Sequence, residues 1–189
     1  MKWKTVNPID KIVGLRKQIF KIQYENWTKD NLFSFKWWIM LLLVVILWFV
    51  WWKLLDKKRF NEIGLAGFIA AVLNFFINTT GIELTLWAYP TQIFGVVRTW
   101  SLFELSYITV AYMFLNQYFK EWKKYLIAVT IFGAFASFIV QPLLIHFEIF
   151  KLYNWRNLYS FPIYFLIGVV VKSITLKIMN VQKRSIEHN

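Results

Sequence analysis

The sequence predicts an all-α integral membrane protein with five transmembrane helices, an N-terminal amphipathic interfacial helix and an outer re-entrant or interfacial hairpin. Hydrophobic residues occupy 58% of the 189 positions, whereas soluble domains average roughly 45–50%. Several apolar runs approach the ~20 residues that a helix needs to cross the hydrocarbon core of a bilayer. A soluble chain of this length could not enclose all of these runs in one core. We therefore expect a multi-pass protein of the cell membrane.

The N-terminal segment, residues 1–35, begins with an amphipathic helix. Asn7 followed by Pro8 is typical of an N-cap before the first helical turn, and Asp10 favours the positive end of the helix dipole. The interpretations are a helix lying in the headgroup region and a helix packed against a partner or the bundle. Its apolar residues share one face at helical spacing, namely Ile9, Ile12, Val13, Ile19, Phe20, Tyr24 and Trp27.

The transmembrane domain is expected to cover residues 36–180, with a polar cytoplasmic tail at 181–189. Tryptophans near both ends of the first apolar run are typical of anchors at the two interfaces. In the second run, Gly67, Asn74 and Asn78 recur at a spacing that favours close helix contact with amide bonding across it. Pro142 predicts a kink in the fourth run. The predicted spans lie at about 37–55, 63–80, 99–119, 125–147 and 161–179.

The segment from Gly81 to Glu104 separates the second and third spans. It is too apolar for an ordinary soluble loop, and Gly81, Pro90 and Gly95 interrupt any continuous helix. Glu83, Arg98 and Glu104 are its charged residues. We therefore predict a hairpin that caps one end of the bundle.

The orientation is predicted from the basic residues between spans. The loop after span one, the turn after span three and the tail contain most of them, whereas the opposite side has only Arg98, Lys151 and Arg156. The positive-inside rule then places the C-terminus in the cytoplasm and the capping hairpin outside. The N-terminal segment conflicts with this assignment, because it would lie outside with eight basic residues when Lys36, which directly follows it, is counted.

The net charge of +12 would indicate nucleic acid on a soluble domain. Here the basic residues flank apolar runs, where anionic headgroups explain them, so the expected partners are membrane lipids and no nucleic acid. Another membrane protein or a second copy of the chain is the candidate protein partner. The absence of cysteine excludes disulfides and thiolate metal sites, and the sequence indicates no cofactor.

Four strings occur in order along the chain: WWKLLDKKR from Trp51, LWAYP from Leu86, QYFKEWKKYL from Gln117 and IFKLYNWRNLYSFPIY from Ile149. Together they resemble an uncharacterised family of small multi-pass membrane proteins from spore-forming Gram-positive bacteria. The resemblance covers roughly residues 20–178 and implies five spans in the cell membrane, but it implies no activity. Members of that family often have acids at the positions of Asn78, Glu104 and Gln141, and here only Glu104 is an acid. This departure weakens a proton- or cation-linked role.

A layer of polar residues is the main candidate site. Asn74, Glu104 and Gln141 each lie roughly 9 Å inside the outer ends of their spans, given a helical rise of ~1.5 Å per residue. Intramembrane acids usually face the bundle interior or a wet cavity. The alternatives are helix-to-helix bonding, extension of Glu104 to the surface, and a ligand or ion site. The further ligand or polar-layer candidates are Asn78, Arg98 and Glu83.

Aromatic residues near the hairpin form a second candidate group. Trp87, Tyr89 and Trp155 are expected either to line a pocket for an apolar ligand or to belong to an interfacial belt. His146 and Glu148 lack a third metal ligand at suitable spacing, so no metal site is predicted.

Lys172 is expected to extend to the cytoplasmic headgroups. No Ser-His-Asp spacing, phosphate-binding loop or metalloprotease motif occurs, which disfavours an enzyme.

These observations favour non-enzymatic binding of a partner, lipid or small solute in the outer half of the bundle. The alternative is a small transporter or channel subunit that uses Glu104 as its intramembrane charge. A lipid-modifying enzyme with Glu104 as an acid is the second alternative.

Overall fold

The computed structural model describes residues 7–95 and 101–187, and this part of the chain is almost entirely helical. Irregular helical turns follow α1 (Trp27–Asn31), precede α3 (Lys57–Arg59) and separate α5 from α6 (Ala136–Val140). The elements are α1 Pro8–Asn26, α2 Phe35–Leu54, α3 Phe60–Glu83, β1 Trp87–Ala88, α4 Leu102–Tyr118, α5 Trp122–Phe135, α6 Gln141–His146, β2 Lys151–Leu152 and α7 Asn157–Glu187.

Four helical segments of the described chain are long and apolar enough to cross a membrane. They are Phe35–Leu54, Lys57–Glu83, Trp122–His146 and Asn157–Ser185, and they overlap the predicted first, second, fourth and fifth spans. The predicted third span, 99–119, corresponds to α4, which has 17 residues. Its first two predicted positions lie outside the described residues.

Helix α4 lies in the centre of the bundle, in contact with α2, α3, α5 and α7. Its core residues Ile108 and Tyr112 are fully buried, as are Ala66 and Ala70 on α3. Small residues permit this packing: a Cβ atom on Gly67 would lie 2.6 Å from the sulfur of Met113. The small residues of the second predicted span therefore form its buried face.

The predicted interruption near Pro142 is a π-helical turn at Ala136–Val140, immediately before α6. Proline lacks an amide donor and its ring crowds the preceding turn, and π-helical turns are one way in which a helix accommodates such a disruption. The turn inserts extra backbone between the two helices. Ser137, within this turn, and Gln141, directly after it, are both buried.

One end of the bundle is covered by two loops, residues 84–95 and 147–156, which we call the cap. Strands β1 and β2 pair antiparallel, with Trp87 opposite Leu152 and Ala88 opposite Lys151. The described part of the predicted hairpin therefore pairs with a loop from a different connection. Residues 96–100, including Arg98, lie outside the described residues.

The N-terminal helix is joined to the cap at its C-terminal end. Trp27 Nε1 donates to the carbonyl of Gln92 at 3.2 Å, and Asn31 Nδ2 donates to the carbonyl of Pro90 at 3.2 Å. At the other end of α1, the Asn7 side chain accepts a hydrogen bond from the amide of Ile9, as expected of an N-cap. Helix α1 itself has no buried residue.

The end of the bundle opposite the cap is held by side chains that bind the last carbonyls of α4. Arg59 Nη1 donates to the carbonyl of Gln117 at 2.8 Å. Lys172 Nζ donates to the carbonyl of Phe119 at 2.7 Å, and its side chain is only 2% exposed. The expectation that Lys172 reaches the headgroups is wrong, because Lys172 is buried and its ammonium binds the part-buried carbonyl of Phe119 and lies above the Tyr125 ring.

Candidate functional site

A cavity of about 30 Å³ lies in the half of the bundle nearest the cap. Asn74, Glu104 and Gln141, which belong to three different helices, all line it. The structure thus brings together the three residues that were expected at one depth. The other lining residues are Ile77, Asn78, Trp87, Phe150, Trp155, Ser160, Ile163, Tyr164 and Ile167.

Helix geometry positions the polar residues around this cavity. Asn74 and Asn78 lie one turn apart on the buried face of α3 and are 4% and 5% exposed. Glu104 lies in the first turn of α4, where Ser101 Oγ accepts a hydrogen bond from its amide at 3.4 Å. Gln141 begins α6 directly after the π-helical turn and is 6% exposed.

Two side-chain oxygens of residues that line the cavity have no hydrogen-bond partner among the described residues. They are Glu104 Oε2 and Gln141 Oε1, and both atoms are buried. The amide nitrogen of Gln141 is satisfied, because it donates to Ser160 Oγ at 3.1 Å and to the Tyr164 hydroxyl at 3.2 Å. Since a buried acceptor without a donor costs about 1–3 kcal/mol, these two oxygens favour a water or a ligand in the cavity.

Two of the three candidate aromatic residues, Trp87 and Trp155, line the cavity on the cap side, and Tyr89 lies beside them. Trp87 and Tyr89 are buried, and both donate to Asn78 Oδ1 at 3.0 Å. Trp155 Nε1 donates to Ser160 Oγ at 3.0 Å. The rings of Trp87 and Trp155 meet edge to face, with centroids 5.2 Å apart. Trp87 and Trp155 are therefore part of the cavity wall, which distinguishes them from an exposed belt.

The remaining candidates lie elsewhere. Glu83 is exposed and does not line the cavity, and Arg98 lies outside the described residues. Glu148 forms an exposed ion pair with Lys36 at 2.8 Å, and the hydrogen bond and charge of that ammonium lower the pKa of the Glu148 carboxyl. No group of three or more potential metal-ligating side chains occurs in the described part of the chain.

Sequence reasoning missed the contribution of α7 to the site. Ser160 and Tyr164 lie one helical turn apart, and both bind Gln141. The Tyr164 hydroxyl also lies 3.3 Å from the Tyr107 hydroxyl of α4. The signal was present, because a serine and a tyrosine four residues apart in an apolar helix share one face.

A second, apolar pocket of about 260 Å³ lies between α3, α4 and the cap. Asn74 and Asn78 line both this pocket and the polar cavity, so their side chains form a shared wall. The other residues that line it are Phe75, Phe94, Ser101, Leu102 and Leu105.

The polar cavity and the apolar pocket lie on either side of Asn74 and Asn78. The cavity is lined by residues with hydrogen-bond acceptors, and the pocket offers mainly apolar surface. A carboxyl group is present, but the cavity lining contains no cysteine, lysine or histidine that would act with it as a nucleophile or base among the described residues. The arrangement is suited to holding a hydrogen-bond donor. No protein-family model, curated protein or solved structure matches this chain.

Proposed function

We propose that this chain is a multi-pass membrane protein that binds a small solute or a lipid headgroup, without catalysis, in the half of the bundle nearest the cap. The observation that supports this proposal is the pair of unpartnered oxygens, Glu104 Oε2 and Gln141 Oε1, which belong to two residues that line one cavity. Such acceptors are expensive in an apolar interior unless a donor satisfies them. A bound donor therefore has a favourable free energy at this position.

The size of the cavity limits what enters it. A volume of about 30 Å³ exceeds the roughly 10–15 Å³ that one water needs. It accommodates water or a head of a few atoms, and a larger ligand must extend into a neighbouring space. The proposal is therefore restricted to small solutes and to the heads of larger molecules.

Binding is tested by purifying the chain from native membranes and identifying bound small molecules and lipids by mass spectrometry. A ligand should copurify with the parent protein and be lost from Glu104→Leu and Gln141→Leu. The matched control is Glu83→Leu, which removes an exposed acid near the same end of the bundle and should retain the ligand. If all four proteins carry the same molecules, the cavity is not the binding site.

The alternative function is transport, with Glu104 as the intramembrane charge that the solute meets. Solute flux into vesicles that contain the purified protein, with loss of flux in Glu104→Gln, would assign a transporter or channel subunit. Turnover of an added lipid would assign an enzyme.

The proposed topology has five spans, with α4 as the third. At ~1.5 Å per residue its 17 residues extend about 25 Å. A helix surrounded by other helices does not need to match the full hydrocarbon thickness, since its ends contact protein. The Arg59 and Lys172 contacts with its last carbonyls and the Ser101 cap at its first turn support this argument.

The orientation is tested with single cysteines, because the native chain has none. Lys57→Cys and Lys123→Cys should resist an impermeant thiol reagent in intact cells, whereas Asn154→Cys should react. All three positions are exposed, so the labelling pattern reports the side of the membrane. The reverse pattern would refute a cytoplasmic C-terminus.

We also propose that α1 lies along the membrane surface. Its apolar residues are exposed, for example Ile12 at 52% and Phe20 at 47%, and a lipid interface would cover them. A peptide of residues 7–30 should gain helicity on anionic vesicles and lose binding as salt is raised. Changing Ile12, Ile19 and Phe20 together to Ser should abolish the gain, and unchanged binding would exclude this mechanism.

A further inference from the structure

The polar cavity and the apolar pocket share the wall formed by Asn74 and Asn78. A ligand that uses both spaces has a small polar head and an apolar chain. The pocket's volume of about 260 Å³ is far larger than that of the cavity, and Phe75 and Phe94 at its border are 37% and 50% exposed. The apolar space thus borders the surface that faces lipid in the proposed topology.

The chemistry of the ligand's polar head is inferred from the side-chain atoms that have no hydrogen-bond partner. Glu104 Oε2 and Gln141 Oε1 are buried acceptors that have no hydrogen-bond partner among the described residues, and both residues line the cavity. No lysine, arginine or histidine is among the described residues that line the cavity. A primary ammonium group supplies three N–H donors and a positive charge, and charge-assisted hydrogen bonds are the stronger kind.

The aromatic wall and the volume restrict the head further. Trp87, Trp155 and Tyr164 line the cavity, and tryptophan and tyrosine rings attract cations. A quaternary ammonium also interacts with such rings, but it has no N–H donor for the two oxygens. A primary ammonium is also smaller than a trimethylammonium group, which makes it the better match to a cavity of about 30 Å³.

We infer that the site takes an amphiphile with a protonated primary amine, whose head occupies the polar cavity and whose chain extends past the Asn74 side chain, where the two spaces adjoin, into the pocket between α3 and α4. This inference rests on the proposed binding function and specifies its ligand class. The amine has two sources: a free alkylamine and the ethanolamine headgroup of a phospholipid. Both present the same ammonium chemistry to Glu104 and Gln141.

The test uses the full chain in lipid nanodiscs made only of phosphatidylglycerol, with radiolabelled n-octylamine as the probe and empty discs as the blank. Binding should saturate, and excess unlabelled octylamine should displace the label. Octyltrimethylammonium, with the same charge and chain but no N–H donor, should not displace it. Octanol, with the same chain but no charge, should not displace it either.

Variants separate the head site from the chain site. Glu104→Gln should weaken octylamine binding by at least about tenfold, as expected for a hydrogen bond to a charged group. Leu105→Trp should fill the pocket and remove octylamine binding while the small head analogue methylammonium still binds. Controls are Glu83→Gln for the lost acid and Leu166→Trp for the added ring, since both positions are exposed away from the site.

The lipid composition distinguishes the two sources. If the natural amine is the lipid headgroup, discs that also contain phosphatidylethanolamine should reduce octylamine binding, and that lipid should be enriched with the purified parent protein. If phosphatidylethanolamine does not compete, the source is a free amine.

Equal displacement by octyltrimethylammonium, or unchanged octylamine binding in both Glu104→Gln and Leu105→Trp, would overturn the inference. A copurifying ligand that depends on Glu104, with no amine binding, would overturn the ligand class and leave the proposed function in place. If no amine binds and no Glu104-dependent ligand copurifies, the cavity holds water and both proposals fail.

Discussion

Replacing Asn78 with leucine should loosen the cap by removing one oxygen that serves two buried donors. Asn78 Oδ1 accepts from Trp87 Nε1 and from the Tyr89 hydroxyl, each at 3.0 Å. All three side chains are at most 8% exposed. Each orphaned donor costs about 1–3 kcal/mol, which gives about 2–6 kcal/mol in total. Interhelical hydrogen bonds in membrane proteins average about 0.6 kcal/mol, so we expect a value near the lower limit.

The change in the free energy of unfolding caused by a second substitution, Tyr89→Phe, should have opposite signs in the parent and in Asn78→Leu. This reversal tests the reasoning more sharply than the size of either effect. Tyr89→Phe alone should destabilise the protein modestly, because it removes one hydrogen bond and leaves Asn78 Oδ1 with Trp87. In the Asn78→Leu background the same change should restore about 1–3 kcal/mol, because it removes an orphaned hydroxyl. The interaction free energy between the two positions is then favourable in the double-mutant cycle.

The assay is reversible unfolding in mixed micelles, with the free energy of unfolding measured for the parent, both single variants and the double variant. Tyr159→Phe is the matched control, since Tyr159 is a 46% exposed tyrosine near the same end of the bundle. It should change stability little in either background. If the effects of Asn78→Leu and Tyr89→Phe simply add, the two side chains are not coupled through this hydrogen bond and the reasoning is refuted.

Two further predictions concern the cap. Gly81→Ala should destabilise the protein by about 1–3 kcal/mol in thermal unfolding, because a Cβ atom at this position would collide with the Trp87 ring. The control is Gly64→Ala on the same helix, where a Cβ atom meets nothing within 4 Å. This change should be neutral or stabilising. Lys36→Met should raise the pKa of Glu148 in a carboxyl-carbon NMR titration, because the Lys36 ammonium lowers it. A carboxyl group whose pKa is lowered in the folded state stabilises that state at pH values above the ordinary carboxyl pKa, and this stabilisation is lost as the pH falls through the lowered pKa. The stability difference between Lys36→Met and its parent should therefore vanish in acid. A difference that persists in acid would contradict the assignment.

The helices were predictable because a bilayer requires long apolar runs, and such runs are visible in any window of the sequence. The predicted span 63–80 lies within α3 at Phe60–Glu83, and the predicted span 161–179 lies within α7 at Asn157–Glu187. The ends were less predictable, since polar residues such as Glu83 and Asn157 continue a helix by hydrogen bonding beyond the apolar run. Helix α4 is shorter than predicted at both of its described ends.

The pairing within the cap was not predictable from local pattern. Strands β1 and β2 have two residues each and come from connections far apart in the chain. Two residues carry no periodicity, and the pairing depends on the bundle bringing Leu86 and Tyr153 together, whose backbones are hydrogen-bonded at 2.9 Å. The hairpin prediction therefore failed to include the second loop. Its placement of a helix break at Gly81 was also wrong, because α3 continues through Gly81 to Glu83.

The polar cavity was partly predictable for a physical reason. Amides and acids are rare in apolar helices because their burial is expensive, so Asn74, Glu104 and Gln141 stood out individually. Hydroxyls are less expensive and common, and Ser160 and Tyr164 did not stand out. Lys172 was misread because a carbonyl partner at the end of another helix leaves no trace in the local sequence.

The connection between α1 and the cap changes the argument about orientation. Trp27 and Asn31 bind the carbonyls of Gln92 and Pro90, so the C-terminal end of α1 and the cap lie on the same side of any membrane. Basic residues close to this connection, such as Lys29, therefore lie on the same side of the membrane as the cap and are counted on that side in the comparison of basic residues. The excess of basic residues opposite the cap is then smaller than the connections between spans alone indicate. Labelling of Asn154→Cys consequently reports the side of α1 as well as that of the cap. In either orientation, the C-terminal end of α1 lies at the end of the bundle that holds the polar cavity. If α1 lies along the membrane surface at that end, it borders the lipid leaflet from which the proposed amphiphile would enter the pocket.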